Sequence, residues 1–256
     1  MRRLVLVLGV ALLLGGVAPA YAKPSGLTGE ETAGEPMSGR IIVIDPGHQL
    51  GNWSHPSRID RRVPAGGFRK PCNTTGTETR GGFPEATFTW RVARLLAHRL
   101  REQGATVVLT RTSNRADAWG PCVDVRGRIG NRIHADLKIS IHADGADVPG
   151  ARGFHVIAPR DRGRWPHDVY ASSWRLGEVE RAALRAAGVP VANYVAGGVG
   201  LVRRGDLGTL NLSRIPTVMV ELGNMRNGGD AHRMTTAKGR LVYARALARG
   251  ATSFLG

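Results

Sequence analysis

Cysteine is nearly absent from the 256-residue chain: there are 2, too few for a disulfide-rich scaffold or a cysteine-based zinc finger. Aromatic residues make up only 5%. They do not interleave with basic residues, which argues against a nucleic-acid partner. Lysine supplies 4 of the 36 basic residues, so the formal charge of +16 is almost entirely arginine. Those charges are spread along the chain rather than blocked into a tail, and a solvated basic surface is their simplest reading. No internal repeat and no local H-E-x-x-H metal motif is present. Past the N-terminus, no run is long and apolar enough to span a bilayer. A hydrophobic content of 42% excludes wholesale disorder, and the length suits one α/β domain with a sizeable core.

The first 22 residues read as a secretory signal. Arg2 and Arg3 start it, Leu4 to Leu14 are apolar without a charge, and Ala20-Tyr21-Ala22 forms a small-residue exit. Cleavage is expected after Ala22. An uncleaved anchor is the alternative, but it needs about 20 apolar residues, and Gly15, Gly16 and Pro19 interrupt this run. The mature chain is then exported to the periplasm, wall or medium with no transmembrane anchor, and its formal charge is 34 − 20 = +14. Outside the cytosol such charge meets anionic envelope polymers or lipid head groups.

Residues 23–39 are Gly, Pro and acid without periodicity, and read as a flexible lead-in. From Arg40 to Gly256 the pattern is a single α/β domain, a central, mostly parallel twisted sheet flanked by helices. Strands are expected at Ile41–Ile44, Thr106–Thr110, Leu137–Ile141, Gly153–Ala158 and Thr217–Val220. Gln49 to Phe83 reads as a loop too irregular for core. A helix starts at Pro84, with Phe88, Val92, Leu95, Leu96 and Leu100 on one face. Further helices are expected from Val123 to His134, buried through Val125, Ile129 and Ile133, from Val169 to Ala187, and from Asp230 to Phe254.

Three strands end in residues that a packed core does not ask for: Asp45-Pro46-Gly47-His48 after the first, His142 after the third, and Glu221 after the last. The carboxyl ends of strands form the ligand crevice of open α/β sheets. Glu85, at the start of the first helix, is placed to reach the same crevice. Two histidines and two carboxylates are the ingredients of a catalytic zinc site, with three ligands and one general base. Spacing alone leaves other roles open. A lone histidine after a strand is commonly a surface group, and Glu85 suits a helical first turn in any case.

As a set, these segments resemble the zinc-dependent N-acetylmuramoyl-L-alanine amidases of the Amidase_3 family, which cut bacterial peptidoglycan. The matching pieces are Ile42-Val-Ile-Asp-Pro-Gly-His48, then Glu85, then Gly104-Ala-Thr-Val-Val-Leu-Thr-Arg111. Arg126, Asn131 and Ala135-Asp-Leu-Lys-Ile-Ser-Ile-His-Ala143 follow, and Pro216-Thr-Val-Met-Val-Glu-Leu-Gly223 with Asn227 and Asp230 comes last. The resemblance covers about residues 40–256. It implies that His48, Glu85 and His142 bind Zn2+, that Glu221 is the catalytic base, and that the substrate is the amide between N-acetylmuramic acid and L-alanine in peptidoglycan or muropeptides. The chain is expected to act as a monomer, and the export signal argues further against a nucleic-acid partner. A non-catalytic wall-binding protein of the same fold and another zinc peptidoglycan peptidase are the competing readings. No wall-binding appendage is visible.

In an exported protein the two cysteines, Cys72 and Cys122, most simply form one disulfide, with free or metal-bound thiols as the alternative. The remaining histidines, at 55, 98, 134, 155, 167 and 232, are expected in surface or packing roles.

Overall fold

The computed structural model describes residues 35–165 and 169–256. The expected signal and most of the expected lead-in lie outside them. Residues 35–39 do not continue a flexible lead-in. They make a turn that buries Met37 in the main core and ties its N–H to the Gln103 carbonyl. No helix among the described residues is long and apolar enough to cross a membrane.

The strands are β1 (Ile41–Pro46), β2 (Arg62–Pro64), β3 (Arg69–Pro71), β4 (Thr106–Leu109), β5 (Leu137–Asp144), β6 (His155–Pro159), β7 (Leu201–Arg204) and β8 (Thr217–Asn224). The helices are α1 (Pro56–Ile59), α2 (Glu85–Arg101), α3 (Val123–Arg128), α4 (Tyr170–Ala186), α5 (Gly208–Asn211), α6 (Gly228–Thr235) and α7 (Ala237–Leu255). Six strands form the central sheet in the order β4-β1-β5-β8-β6-β7, and β2 with β3 forms a separate hairpin. Strands β4, β1, β5 and β8 run parallel, while β6 pairs antiparallel with β8 and carries β7 with it. The fold is therefore the mixed α/β layer that the alternation of apolar strands and amphipathic helices implies.

Side chains alternate between the faces of a strand, and here that alternation separates core from chemistry. Ile42 and Ile44 of β1, Leu137, Ile139 and Ile141 of β5, and Val218 and Val220 of β8 enter the large core under α2, α4 and α7. The intervening residues, Val43 and Asp45, Lys138, Ser140 and His142, Met219 and Glu221, face the other way. Small apolar clusters around α3 and α5 cover only part of that second face. The polar ends of three strands thus share one side of the sheet.

Four expectations need correction. The segment from Gln49 to Phe83 is not outside the core: it holds a short 3-10 turn, α1 and the β2–β3 hairpin, and it buries Gly51, Asn52, Val63 and Cys72. Helix α3 stops at Arg128 rather than His134. Gly130 and His134 both take positive φ, and Val125 and Ile133 are exposed instead of buried. The closing helix is two helices that break at Thr236, whose hydroxyl caps α7 by accepting from the Gly239 N–H. Strand β7 and helix α5 occupy a stretch that periodicity left unassigned, because each is only 4 residues long.

Candidate functional site

The cluster begins at the C-terminal end of β1. Its last turn places Pro46, Gly47 and His48 over the end of β5, and His48 adopts φ 56°, a left-handed conformation that costs a non-glycine residue energy. Three neighbours hold this turn. Arg126 donates to the carbonyls of Pro46 at 2.7 Å and His48 at 2.6 Å. Arg111 donates to the Pro46 carbonyl at 3.1 Å, and the Thr89 hydroxyl donates to the Gly47 carbonyl at 2.9 Å. Gly47 is required here, because a Cβ on it would lie 2.4 Å from the His142 ring.

Buried charges anchor this framework from below. Asp45 accepts from Arg126 at 2.6 Å and from the hydroxyls of Ser140 and Thr110. Burial works against the charge on Asp45, but Arg126 and the two hydroxyls outweigh it and hold the carboxyl well below the usual carboxylate range. The Lys138 ammonium, fully buried, donates to the carbonyls of Arg126 and Gly127 at 2.9 and 2.8 Å and so fixes the end of α3 to β5. Burial lowers its pKa to about 8.

Three side chains converge on this platform. Glu85 Oε1 lies 3.1 Å from His48 Nε2 and 3.0 Å from His142 Nδ1, and the Ala143 and Thr77 N–H groups donate to the same carboxylate. Side-chain exposures are 10%, 4% and 16% for His48, Glu85 and His142. The other nitrogen of His48, Nδ1, is 3.0 Å from the Thr74 carbonyl, an outer contact that sets the ring's orientation. Burial opposes the charge on both Glu85 and His48, yet their mutual attraction prevails. The Glu85 carboxyl is held below its ordinary range and the His48 imidazole is raised above its own.

The parallel register sets Glu221 of β8 directly beside His142 of β5, and the antiparallel register sets His155 of β6 on its other side. Glu221 Oε2 is buried without a hydrogen-bond partner. Burial, followed by the charges of Glu85 and Asp144, raises the Glu221 pKa well above 4.5. Burial likewise lowers His155 to about 4, which keeps that imidazole neutral. Asp144 accepts from the Tyr194 hydroxyl at 3.0 Å at the end of β5. His48, Glu85, His142 and Glu221 line a cavity of about 360 Å³, whose walls include Lys70, Asn73, Thr74–Thr77, Asp144 and Thr209.

The ligand atoms of His48, Glu85 and His142 lie within 4.8 Å of one another, and among the described residues they form a group able to hold a metal ion. Two imidazole nitrogens and one carboxylate oxygen are a donor set suited to catalytic zinc. An unpartnered carboxylate oxygen on the same cavity completes the fit. The four residues singled out in the sequence are thus gathered into one place. Cys72 and Cys122 are joined by a disulfide, and the ring of His167 lies outside the described residues. His98 pairs with Glu102 on a helix surface, and His55 contacts the Gly51 carbonyl, both away from the cavity. Lys70, Tyr194 and the supporting role of Asp45 carried no spacing signal.

The family model described as N-acetylmuramoyl-L-alanine amidase, Amidase_3, matches residues 42–253. The N-acetylmuramoyl-L-alanine amidase Rv3717 of Mycobacterium tuberculosis is 39% identical over 248 residues, covering 95% of this chain and 97% of the relative. The crystal structure of apo Ami1, the N-acetylmuramyl-L-alanine amidase of Mycobacterium abscessus, superposes with a TM-score of 0.80 at 40% identity, over 86% of this chain and 100% of that one. Ami1 of Mycobacterium smegmatis gives a TM-score of 0.79 at 38% identity, over 86% and 98%.

Proposed function

Because this chain belongs to the Amidase_3 family and is an N-acetylmuramoyl-L-alanine amidase acting on peptidoglycan, we propose that His48, Glu85 and His142 hold a zinc ion and that Glu221 moves the proton. The observation that carries the reading is the β5–β8 register, which sets an unpartnered Glu221 carboxylate oxygen beside His142 of the His/Glu/His cluster. Zinc, when bound, supplies Lewis acidity toward a carbonyl and makes water easier to deprotonate. Glu221 accepts a proton from the attacking water at its free Oε2. It then returns that proton to the L-alanine amine as the lactyl amide breaks, acting as base and afterwards as acid. Arg126 and Asp45 keep the His48 turn in place throughout. The Thr74 carbonyl orients the His48 ring.

We infer further that residues 1–22 direct export, that the enzyme acts as a monomer, and that its substrates are peptidoglycan and muropeptides. A disulfide between Cys72 and Cys122 suits an oxidising compartment.

Glu221→Gln is expected to retain zinc at the wild-type stoichiometry while hydrolysis of a purified muropeptide falls roughly 10²–10⁴-fold. Mass analysis of the wild-type products should show the whole stem peptide released from muramic acid, with none released after chelation. Wild-type turnover by Glu221→Gln would overturn its assignment, and cuts within the stem would point to a peptidase.

A further inference from the structure

The catalytic cavity has an acidic floor and a basic wall. Glu85, Asp144 and Glu221 line the sheet side, and among the described residues Lys70 and Arg126 are the only Lys or Arg side chains that line the cavity. Arg126 is fully committed, with its guanidinium on Asp45 and on the Pro46 and His48 carbonyls. Lys70 is different. It stands directly opposite Val63 in the hairpin, so both side chains share the face that packs toward the molecule. Among the described residues its ammonium reaches only the Asp206 carbonyl, at 3.2 Å.

The carboxylate of that same Asp206 is already taken. Arg204 holds it with two bonds, Nε to Oδ1 at 2.9 Å and Nη2 to Oδ2 at 2.6 Å. A half-buried ammonium therefore faces the substrate cavity without a carboxylate of its own, beside Leu207, Gly208 and Thr209. Burial lowers its proton affinity, and Asp206 only partly offsets this. Such a charge gains most from an incoming anion, because a charge-assisted hydrogen bond in a partly desolvated place is stronger than its counterpart in water.

We propose that Lys70 is a specificity-determining residue that receives a carboxylate of the stem peptide and so selects stems bearing a free acid over amidated ones. This rests on the amidase reading. The carboxylate comes either from the α-position of the second, γ-linked residue or from the free end of the peptide. Lys70 makes no contact with the reacting amide. It anchors the leaving stem while Glu221 serves the bond that breaks.

The test compares three muropeptides: one with both carboxylates free, one amidated at the second residue, and one amidated at the terminus. Wild-type enzyme is expected to show kcat/KM about tenfold higher for the free acid than for one of the amides, carried mainly by KM. The amide that suffers identifies the source. In Lys70→Met that preference should shrink to near unity, and Lys70→Arg should restore most of it. Wild-type enzyme that treats all three substrates alike would refute the assignment without any variant, and so would a preference that survives in Lys70→Met. Failure to release stem peptide from any of the three would instead remove the amidase reading itself.

Discussion

Gly47 shows how little freedom the centre allows. Its missing side chain leaves the space that the His142 ring fills, since a Cβ there would sit 2.4, 2.6 and 2.7 Å from three ring atoms. A methyl group cannot share that volume, and the ring would have to turn away from Glu85. Gly47→Ala is therefore expected to leave the sheet intact and to weaken zinc binding by at least about tenfold, in the range that loss of outer support costs a metal site. Competition with a chromophoric chelator measures the affinity, and circular dichroism checks the fold. An unchanged affinity would mean that the ring has another place to go.

The elements differ in how plainly their sequence announces them. Strands β1 and β8 were legible as short apolar runs, and β5 as an alternation of Leu137, Ile139 and Ile141 with Lys138 and Ser140, while Asp45, His142 and Glu221 mark where each pattern stops. Helix α2 was legible from Phe88, Val92, Leu96 and Leu100, all fully buried. Helix α3 is shorter than its pattern implies, because Val125, Ile129 and Ile133 repeat at helical spacing while Gly127 and Gly130 lie between them. Gly127 packs against the Gly208 and Thr209 carbonyls, and the chain turns where Gly130 takes φ 99°. The β2–β3 hairpin was not legible at all. Its strands are 3 residues each, and they carry arginine, lysine and proline.

Covalent linkage stands in for the apolar content that this hairpin lacks. Cys72 and Cys122, 0% and 4% exposed, pack with Val63, Trp119 and Val123 in a cluster too small to hold the segment alone. The bridge closes a loop of 50 residue steps, worth about 4 kcal/mol by the chain-entropy model. Cys72→Ala with Cys122→Ala should lower unfolding stability by about that amount in urea titration. It should also make the hairpin the first region to exchange its amide protons. Loss of less than about 1 kcal/mol would show that packing rather than linkage holds the segment.

At the scale of the whole molecule, stability carries a buried acid, far from the cavity, that makes no hydrogen bond among the described residues. Glu180 of α4 is fully buried, neither carboxylate oxygen has a hydrogen-bond partner, and Gly250 of α7 leaves it room. Burial raises its pKa well above 4.5. The folded state thus keeps the proton that the unfolded chain gives up. As pH rises above about 4.5, folding loses up to about 1.4 kcal/mol per unit from this group until the folded pKa is reached. Glu180→Gln should therefore gain stability relative to wild type as pH rises from 4.5 to 7.5. The difference between the two unfolding curves reads out this group alone, although Glu221 titrates in the same direction. A difference that does not change with pH would place the Glu180 carboxyl in contact with water.

The catalytic carboxylate stands on a strand laced to neighbours on both sides, so it has no room to adapt. The hairpin pairs with no strand of the central sheet, and residues 207–209 line the cavity that Glu221 faces. The exposed positions of the hairpin, Arg62, Pro64 and Arg69, are free to change without touching that carboxylate, so a lineage facing altered walls can re-address the same machine from its rim.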